Sequence, residues 1–151
     1  MHYEIDIARK NRILLKGFLD SFTLEQLNKV PVGFKNSIIW NIAHTIATQQ
    51  ILLYRLSNLE MQLPQAFIDR FKKGTKHEVD LTKDEVDYIK RILFSTLDQT
   101  ELDYNNGRFK TYQDYTVSTG STLTNVDQAF AFNNFHEGIH LGYILALKKA
   151  L

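Results

Sequence analysis

Four stretches of this chain repeat apolar residues at intervals of three and four, the spacing that places them on one face of an α-helix. Each stretch therefore predicts an amphipathic helix that must bury its apolar face against another element. The predicted helices run from about Ile5 to Phe22, from Ser37 (with Asn36 as cap) to Leu56, from a capping box at Thr82 and Glu85 to about Leu102, and from Asn125 or Val126 to the end.

The connections between these helices contain the chain's helix-breaking residues. The first, "TLEQLNKVPVG", holds at most a short helical turn before Pro31 and Gly33. Residues 57–80 predict a loop with one short helix. "NNGRFKTYQDYTVSTGSTLTN" predicts a long crossover that is partly extended, because it is rich in turn formers and β-favouring residues. The sequence thus predicts an all-α four-helix bundle with long crossover connections, as a single domain over residues 1–151.

The composition excludes several classes of function. The chain has no cysteine, so disulfides, thiolate metal ligands and a cysteine nucleophile are excluded. Its 18 Lys and Arg nearly balance its 17 Asp and Glu, which leaves no electrostatic footprint for nucleic acid or an anionic membrane. The apolar runs are too short to span a bilayer, and the charged "MHYEIDIARKNR" does not resemble a signal peptide. We expect a cytoplasmic protein that binds neither nucleic acid nor membrane.

The last predicted helix contains "HEGIH", in which His136 and His140 are four residues apart. They lie about 40° apart on the helical wheel, on a stripe whose apolar neighbours point it inward. Two neutral imidazoles so placed can bind one metal ion, at roughly 2.0–2.1 Å for zinc. The alternative is a pair of buried histidines with hydrogen-bond partners, because a buried imidazole without one costs roughly 1–3 kcal/mol. The spacing alone leaves both interpretations open.

His44, in the middle of the second predicted helix, offers a third nitrogen ligand. Taken alone, it is more typical of a core histidine with a hydrogen-bond partner. Together with His136 and His140 it would complete a three-histidine site, which leaves coordination positions for water, as catalytic sites do. The remaining histidines, His2 at the N-terminus and His77 in a charged loop, are expected at the surface.

The same "HEGIH" fits the zinc-protease pattern H-E-x-x-H, in which Glu137 would be the general base. Such a protease also needs a third ligand after the motif. The extended motif requires Gly and His where this chain has Tyr143 and Ala146, and no acidic residue or histidine follows His140. Peptidase activity is therefore not expected.

Two segments, in this order along the chain, resemble a known family. "NSIIWNIAHTIATQQILLYRL" is similar to the second helix, and "FHEGIHLGYILALKKAL" to the last helix, of the DinB-like (or YfiT-like) superfamily of metal-dependent four-helix-bundle proteins. The resemblance covers the whole chain. It implies that His44, His136 and His140 bind a zinc or nickel ion with open coordination positions, and that the protein forms a homodimer.

The resemblance also implies a class of reaction. Characterised proteins of this kind include thiol-dependent transferases and isomerases that use mycothiol, bacillithiol or glutathione. We therefore expect a small-molecule substrate, such as a low-molecular-weight thiol, and an S-transferase or a hydrolase whose metal lowers the pKa of a bound water or thiol. The sequence shows no evident cluster of Arg or Lys around the site, which leaves the thiol itself open.

Polar neighbours of the three histidines are candidates for the rest of the site. Glu137 is the candidate proton acceptor, and Asn41 and Asn133 are candidates for the pocket wall. Thr48 and Tyr143 are better explained by packing. The alternative to an enzyme is a non-enzymatic bundle that binds a small ligand or a partner, with the metal structural or absent.

Overall fold

The computed structural model describes residues 2–151, and it confirms the predicted all-α bundle of four long helices with long connections. The long helices are α1 (His2–Ser21), α3 (Ile38–Gln49, continued by a π-helical turn Gln50–Tyr54 and a 3-10 turn Arg55–Ser57), α5 (Lys83–Asn105) and α6 (Val126–Lys148). Two short helices lie in the connections, α2 (Leu24–Asn28) and α4 (Gln65–Phe71). The last connection contains a small antiparallel hairpin of β1 (Tyr115–Thr116) and β2 (Thr122–Leu123).

Side-chain caps lie at the start of three of the long helices; at α6 the predicted Asn125 accepts from the Gln128 N–H. At α5 the predicted capping box is present, since Thr82 accepts from the Glu85 N–H and donates its own N–H to the Glu85 carboxylate. At α3 the predicted cap is wrong by one residue. Ser37 caps the helix, while the side chain of Asn36 accepts a hydrogen bond from a loop that crosses over it.

The second and last long helices, α3 and α6, pack side by side. Both α1 and α3 pack against α5 and against α6, so α1 lies diagonally across the bundle from α3. Buried apolar residues such as Leu15, Ile42 and Leu93 fill one part of the core. No helix within residues 2–151 combines the length and the apolar character that crossing a bilayer requires.

A polar network occupies the middle of the bundle, around the fully buried Arg12 of α1. Its Nη1 donates to the carbonyl oxygen of Leu93 at 2.6 Å and to the Thr96 hydroxyl at 2.9 Å. Its Nη2 donates to Gln49 at 2.9 Å and to Glu137 at 3.1 Å. Since these partners belong to α5, α3 and α6, one guanidinium holds all three helices in register with α1.

Candidate metal centre

His44 of α3 and the pair His136 and His140 of α6 meet where the two helices face each other. The Nε2 atom of His136 lies 3.3 Å from that of His44 and 3.1 Å from that of His140. One nitrogen from each ring lies within 4.8 Å of the others, so the three could hold a single metal ion. The structure thus brings together the three histidines that the sequence singled out.

Neighbouring groups orient two of these rings. His44 Nδ1 lies 2.6 Å from the carbonyl oxygen of Phe71. Because a carbonyl can only accept, Nδ1 carries the hydrogen and Nε2 keeps the lone pair. Asn41 donates through Nδ2 to the Ser37 carbonyl, which leaves its Oδ1 to accept from His140 Nδ1 at 2.8 Å. Metal-binding histidines are commonly held in this way through their second ring nitrogen.

The ring of His136 is less constrained. Its Nδ1 is buried and has no hydrogen-bond partner within residues 2–151. Without a metal, its single Nε2–H can donate to the lone pair of His44 or of His140, or be shared between them. With a metal between the rings, its Nε2 would supply a lone pair instead. The tautomer of His136 therefore depends on whether a metal ion occupies the centre.

Burial keeps the three imidazoles neutral. Burial, together with repulsion from the positive charge that His140 or His44 carries when protonated, lowers the pKa of His136 to about 3. Burial and the charge of His44 lower the pKa of His140 to about 3. Burial also lowers the pKa of His44 below its ordinary value. Protons therefore compete weakly with a metal ion for these nitrogens at neutral pH.

The distances from His136 Nε2 to the other two Nε2 atoms are close to those of a tetrahedral metal site. Two zinc–nitrogen bonds of about 2.0–2.1 Å, set at the tetrahedral angle, hold their nitrogens about 3.3–3.4 Å apart. The two measured separations between Nε2 atoms are 3.3 and 3.1 Å. Imidazole nitrogen is also a ligand type that suits zinc and nickel. The residues present therefore fit a divalent ion with three neutral protein ligands.

The three histidines line a cavity of about 420 Å³, a size typical of small-molecule sites. Much of its wall is apolar, from Ile51, Leu52, Val117, Phe132 and Ile139. Thr48 also lines it, with its hydroxyl 3.3 Å from His44 Nε2, so its place is not explained by packing alone. A larger cleft of about 1200 Å³, beside residues 74–82, contains none of the three histidines.

Asn41, Asn133 and Glu137 do not lie on the cavity wall, although the sequence placed them near the site. Among the described residues that line the cavity, none of the three occurs. Asn41 instead supports His140. Glu137 is fully buried against Arg12, and Asn133 Nδ2 donates to it at 3.1 Å. The position of Glu137 suits holding α6 in place better than accepting a proton from a molecule in the cavity.

Four polar residues of the cavity wall were not found from the sequence: Lys72, Lys73, Tyr115 and Ser118. The two lysines follow α4, and the other two lie in the long crossover. Neither segment has a periodic pattern that would aim a side chain at the histidines. The sequence showed no evident cluster of Arg or Lys around the site, but the fold brings two lysines to the cavity wall from a distant loop.

The predicted surface position of His77 is also wrong, since its side chain is only 6% exposed. Its Nε2–H donates to Asp80 at 2.9 Å, so its Nδ1 accepts from the Ser37 hydroxyl at 2.8 Å. The order Ser, His, Asp resembles a hydrolase triad. However, Ser37 is fully buried and caps α3, where it accepts from the Trp40 N–H. These contacts fasten the loop to the bundle and expose no nucleophile.

Known proteins match both the sequence and the fold. The family model described as the DinB superfamily matches residues 8–144, which include the three histidines. The crystal structure of a conserved protein from Enterococcus faecalis aligns with a TM-score of 0.67 and 12% identity, over 99% of this chain and 95% of that one. At that identity the likeness is evidence of the fold alone. No curated protein matches the sequence significantly.

Proposed function

This chain belongs to the DinB superfamily, and from that premise we propose that it is a metal-dependent enzyme acting on a small molecule. His44, His136 and His140 would be the ligands of one zinc or nickel ion. The observation that carries the proposal is the convergence of their nitrogens at the wall of a cavity of about 420 Å³. A metal held there would have three protein ligands and a face open to a bound molecule.

A bound metal would act as a Lewis acid that lowers the pKa of a water or thiol. The chain's own residues prepare the site for that chemistry. The Phe71 carbonyl and Asn41 aim the Nε2 lone pairs of His44 and His140 at one point. The apolar wall would pack against the apolar part of a bound substrate. The Thr48 hydroxyl, beside His44 Nε2, is placed to hydrogen-bond a group that approaches from the cavity.

We propose an S-transferase or a hydrolase as the reaction class. Because the chain contains no cysteine, any reacting thiol must come from a small molecule. Glu137 is not assigned the role of proton acceptor in this proposal, because its carboxylate already accepts from Arg12 and Asn133 inside the bundle. A substrate group or solvent in the cavity would take up the proton instead.

A non-enzymatic bundle is the second candidate, and the ring of His136 favours it. Its single Nε2–H can donate to one neighbouring lone pair or be shared between the two, at 3.3 and 3.1 Å, so the cluster can form an internal hydrogen bond without a metal. In that case the cavity would bind a ligand without transforming it.

Metal analysis of tag-free protein tests the proposal. We expect about one zinc or nickel per chain in the wild type and strong loss in His44→Ala and His136→Ala. His2→Gln, a change at an exposed histidine outside the cluster, should keep the metal. Wild-type protein that holds no metal, and gains no stability when zinc or nickel is added, would contradict the proposal. A thiol-transfer and ester-hydrolysis screen, with and without chelator, then separates the enzyme from the non-enzymatic bundle.

We also propose that residues 1–151 act as one domain and that two copies form a homodimer. Exposed apolar side chains of α6 support the second point, since Phe135 is 53% exposed and Ile139, which also borders the cavity, is 49% exposed. Light scattering of the wild type and of Phe135→Glu tests it. A monomeric wild type at micromolar concentration would contradict it.

A further inference from the structure

The wall of the histidine cavity, as residues 2–151 form it, carries two lysines and no carboxylate. Lys72 and Lys73 line the cavity with the three histidines, and no Asp or Glu occurs among its lining residues in the described chain. A divalent ion held by three neutral imidazoles would add charge that its protein ligands do not neutralise. The site as a whole therefore favours a negatively charged occupant.

The two lysines are not equivalent. Lys72 Nζ lies 2.8 Å from Asp69, outside the cavity, so its charge is partly balanced. Lys73 forms no ion pair with any carboxylate of residues 2–151, and its side chain is exposed. Lys73 is thus the cation on this wall that is free to meet an anionic group of a ligand.

We infer that the substrate is an anionic small molecule with an apolar body. Its metal-binding end would face the three histidines, its body would lie against Ile51, Val117 and Phe132, and its anionic group would meet Lys73. The inference rests on the proposed function, because it requires a ligand in the histidine cavity. It adds the chemical class of that ligand and a residue that selects it.

A matched pair of thiols tests the inference. The probes are ω-mercaptohexanoate and ω-mercaptohexanol, which share a chain length and differ in charge; a thiol is used because thiolate sulfur binds zinc well. The protein is loaded with zinc, its metal content is measured, and both probes are titrated by calorimetry. We expect the carboxylate to bind roughly threefold to fivefold more tightly, the size typical of a partly exposed ion pair.

Variants of Lys73 assign the preference to this residue. Lys73→Gln should abolish most of it, and Lys73→Glu should reverse it and favour ω-mercaptohexylamine. Lys76→Gln is the matched control, because Lys76 lies in the same loop but not on the wall of this cavity. Raising the salt concentration should weaken the preference in the wild type.

The outcomes separate this inference from the proposed function. Equal binding of both thiols, or a preference that survives Lys73→Gln and Lys73→Glu, would overturn the inference and leave the metal enzyme standing. Zinc-loaded protein that binds neither thiol would also overturn it. Protein that holds no zinc would overturn both, and the metal content reveals this before any thiol is added.

Discussion

Arg12 and Glu137 form an ion pair that is completely buried in the bundle, with 3.1 Å between Arg12 Nη2 and Glu137 Oε1. Glu137 lies between the two histidines of α6 in sequence, and the same Nη2 donates to Gln49, at the end of the helix that carries His44. The ion pair therefore connects the two helices that build the histidine cluster. A carboxylate that first suggested a general base is, in this fold, part of the scaffold.

Glu137→Gln preserves the size of the side chain but leaves the Arg12 guanidinium buried without a counter-ion. Removing one partner of a buried pair costs about 3–5 kcal/mol, so we expect a loss of that order in the free energy of unfolding. Urea denaturation in the presence of a chelator measures it without a contribution from bound metal.

Two variants control this prediction. Glu60→Gln neutralises an exposed carboxylate and should leave the unfolding free energy nearly unchanged. Arg12→Met combined with Glu137→Leu removes both charges and should recover much of the lost stability. A Glu137→Gln protein that unfolds at the wild-type urea concentration would show that the pair does not hold the bundle.

Asn41→Ala removes the oxygen that accepts from His140 Nδ1. The ring then loses the contact that fixes its tautomer and direction, and zinc affinity should fall about 10–100-fold. Competition with a chromophoric chelator measures the affinity. Asn28→Ala is the matched control, because its buried amide bonds the backbone of Leu81. It should cost stability and leave zinc affinity unchanged; equal zinc affinity in both variants would contradict the assignment.

Much of the fold and the histidine cluster could be predicted because both depend on local spacing. Apolar periodicity gave the four helices, and the i, i+4 spacing put His136 and His140 on one inward stripe. His44 could be named as a candidate third ligand from its position in the middle of a helix, but periodicity does not say which helices are neighbours, and the family resemblance supported that pairing. Only the packing of α3 against α6 brings these residues together.

Residues whose roles depend on distant loops could not be predicted. Lys73 lies in a segment without a periodic pattern. Its position on the cavity wall depends on how α4 and the loop after it pack against the bundle. From the sequence alone, Arg12 would be expected at the surface, because arginines are seldom fully buried unless they are paired. Its burial is understood only with Gln49, Thr96 and Glu137 around it.

His77→Ala should loosen the loop that leads away from the site. It removes the hydrogen bond to Ser37, which ties residues 72–82 to the start of α3, and the hydrogen bond to Asp80, which lies within the same loop. We expect faster amide hydrogen exchange in that loop and a loss of about 1 kcal/mol in unfolding free energy. Zinc stoichiometry should not change, since His77 is not in the cluster. Unchanged exchange relative to Lys76→Ala would show that the contacts do not hold the loop.

The environment of Asp103 predicts how the free energy of unfolding depends on pH. Its side chain is 3% exposed, and burial alone would raise its pKa. Hydrogen bonds from Tyr54, Arg108 and Gln99 outweigh burial and lower the pKa of Asp103 below its ordinary value. Between that lowered pKa and about 3.9, the unfolded chain binds the proton more readily than the folded one, so stability rises with pH.

We therefore expect the contribution of Asp103 to be complete above about pH 5 and to be lost as the pH falls through its folded pKa. Asp103→Asn should be less stable than the wild type at neutral pH and should lose less stability on acidification. Asp114→Asn, at an exposed loop carboxylate, should follow the wild-type curve. Urea denaturation at a series of pH values, with chelator present so that metal release does not contribute, measures all three. Parallel curves for Asp103→Asn and the wild type would mean that this carboxylate is held no more tightly in the folded chain than in the unfolded one.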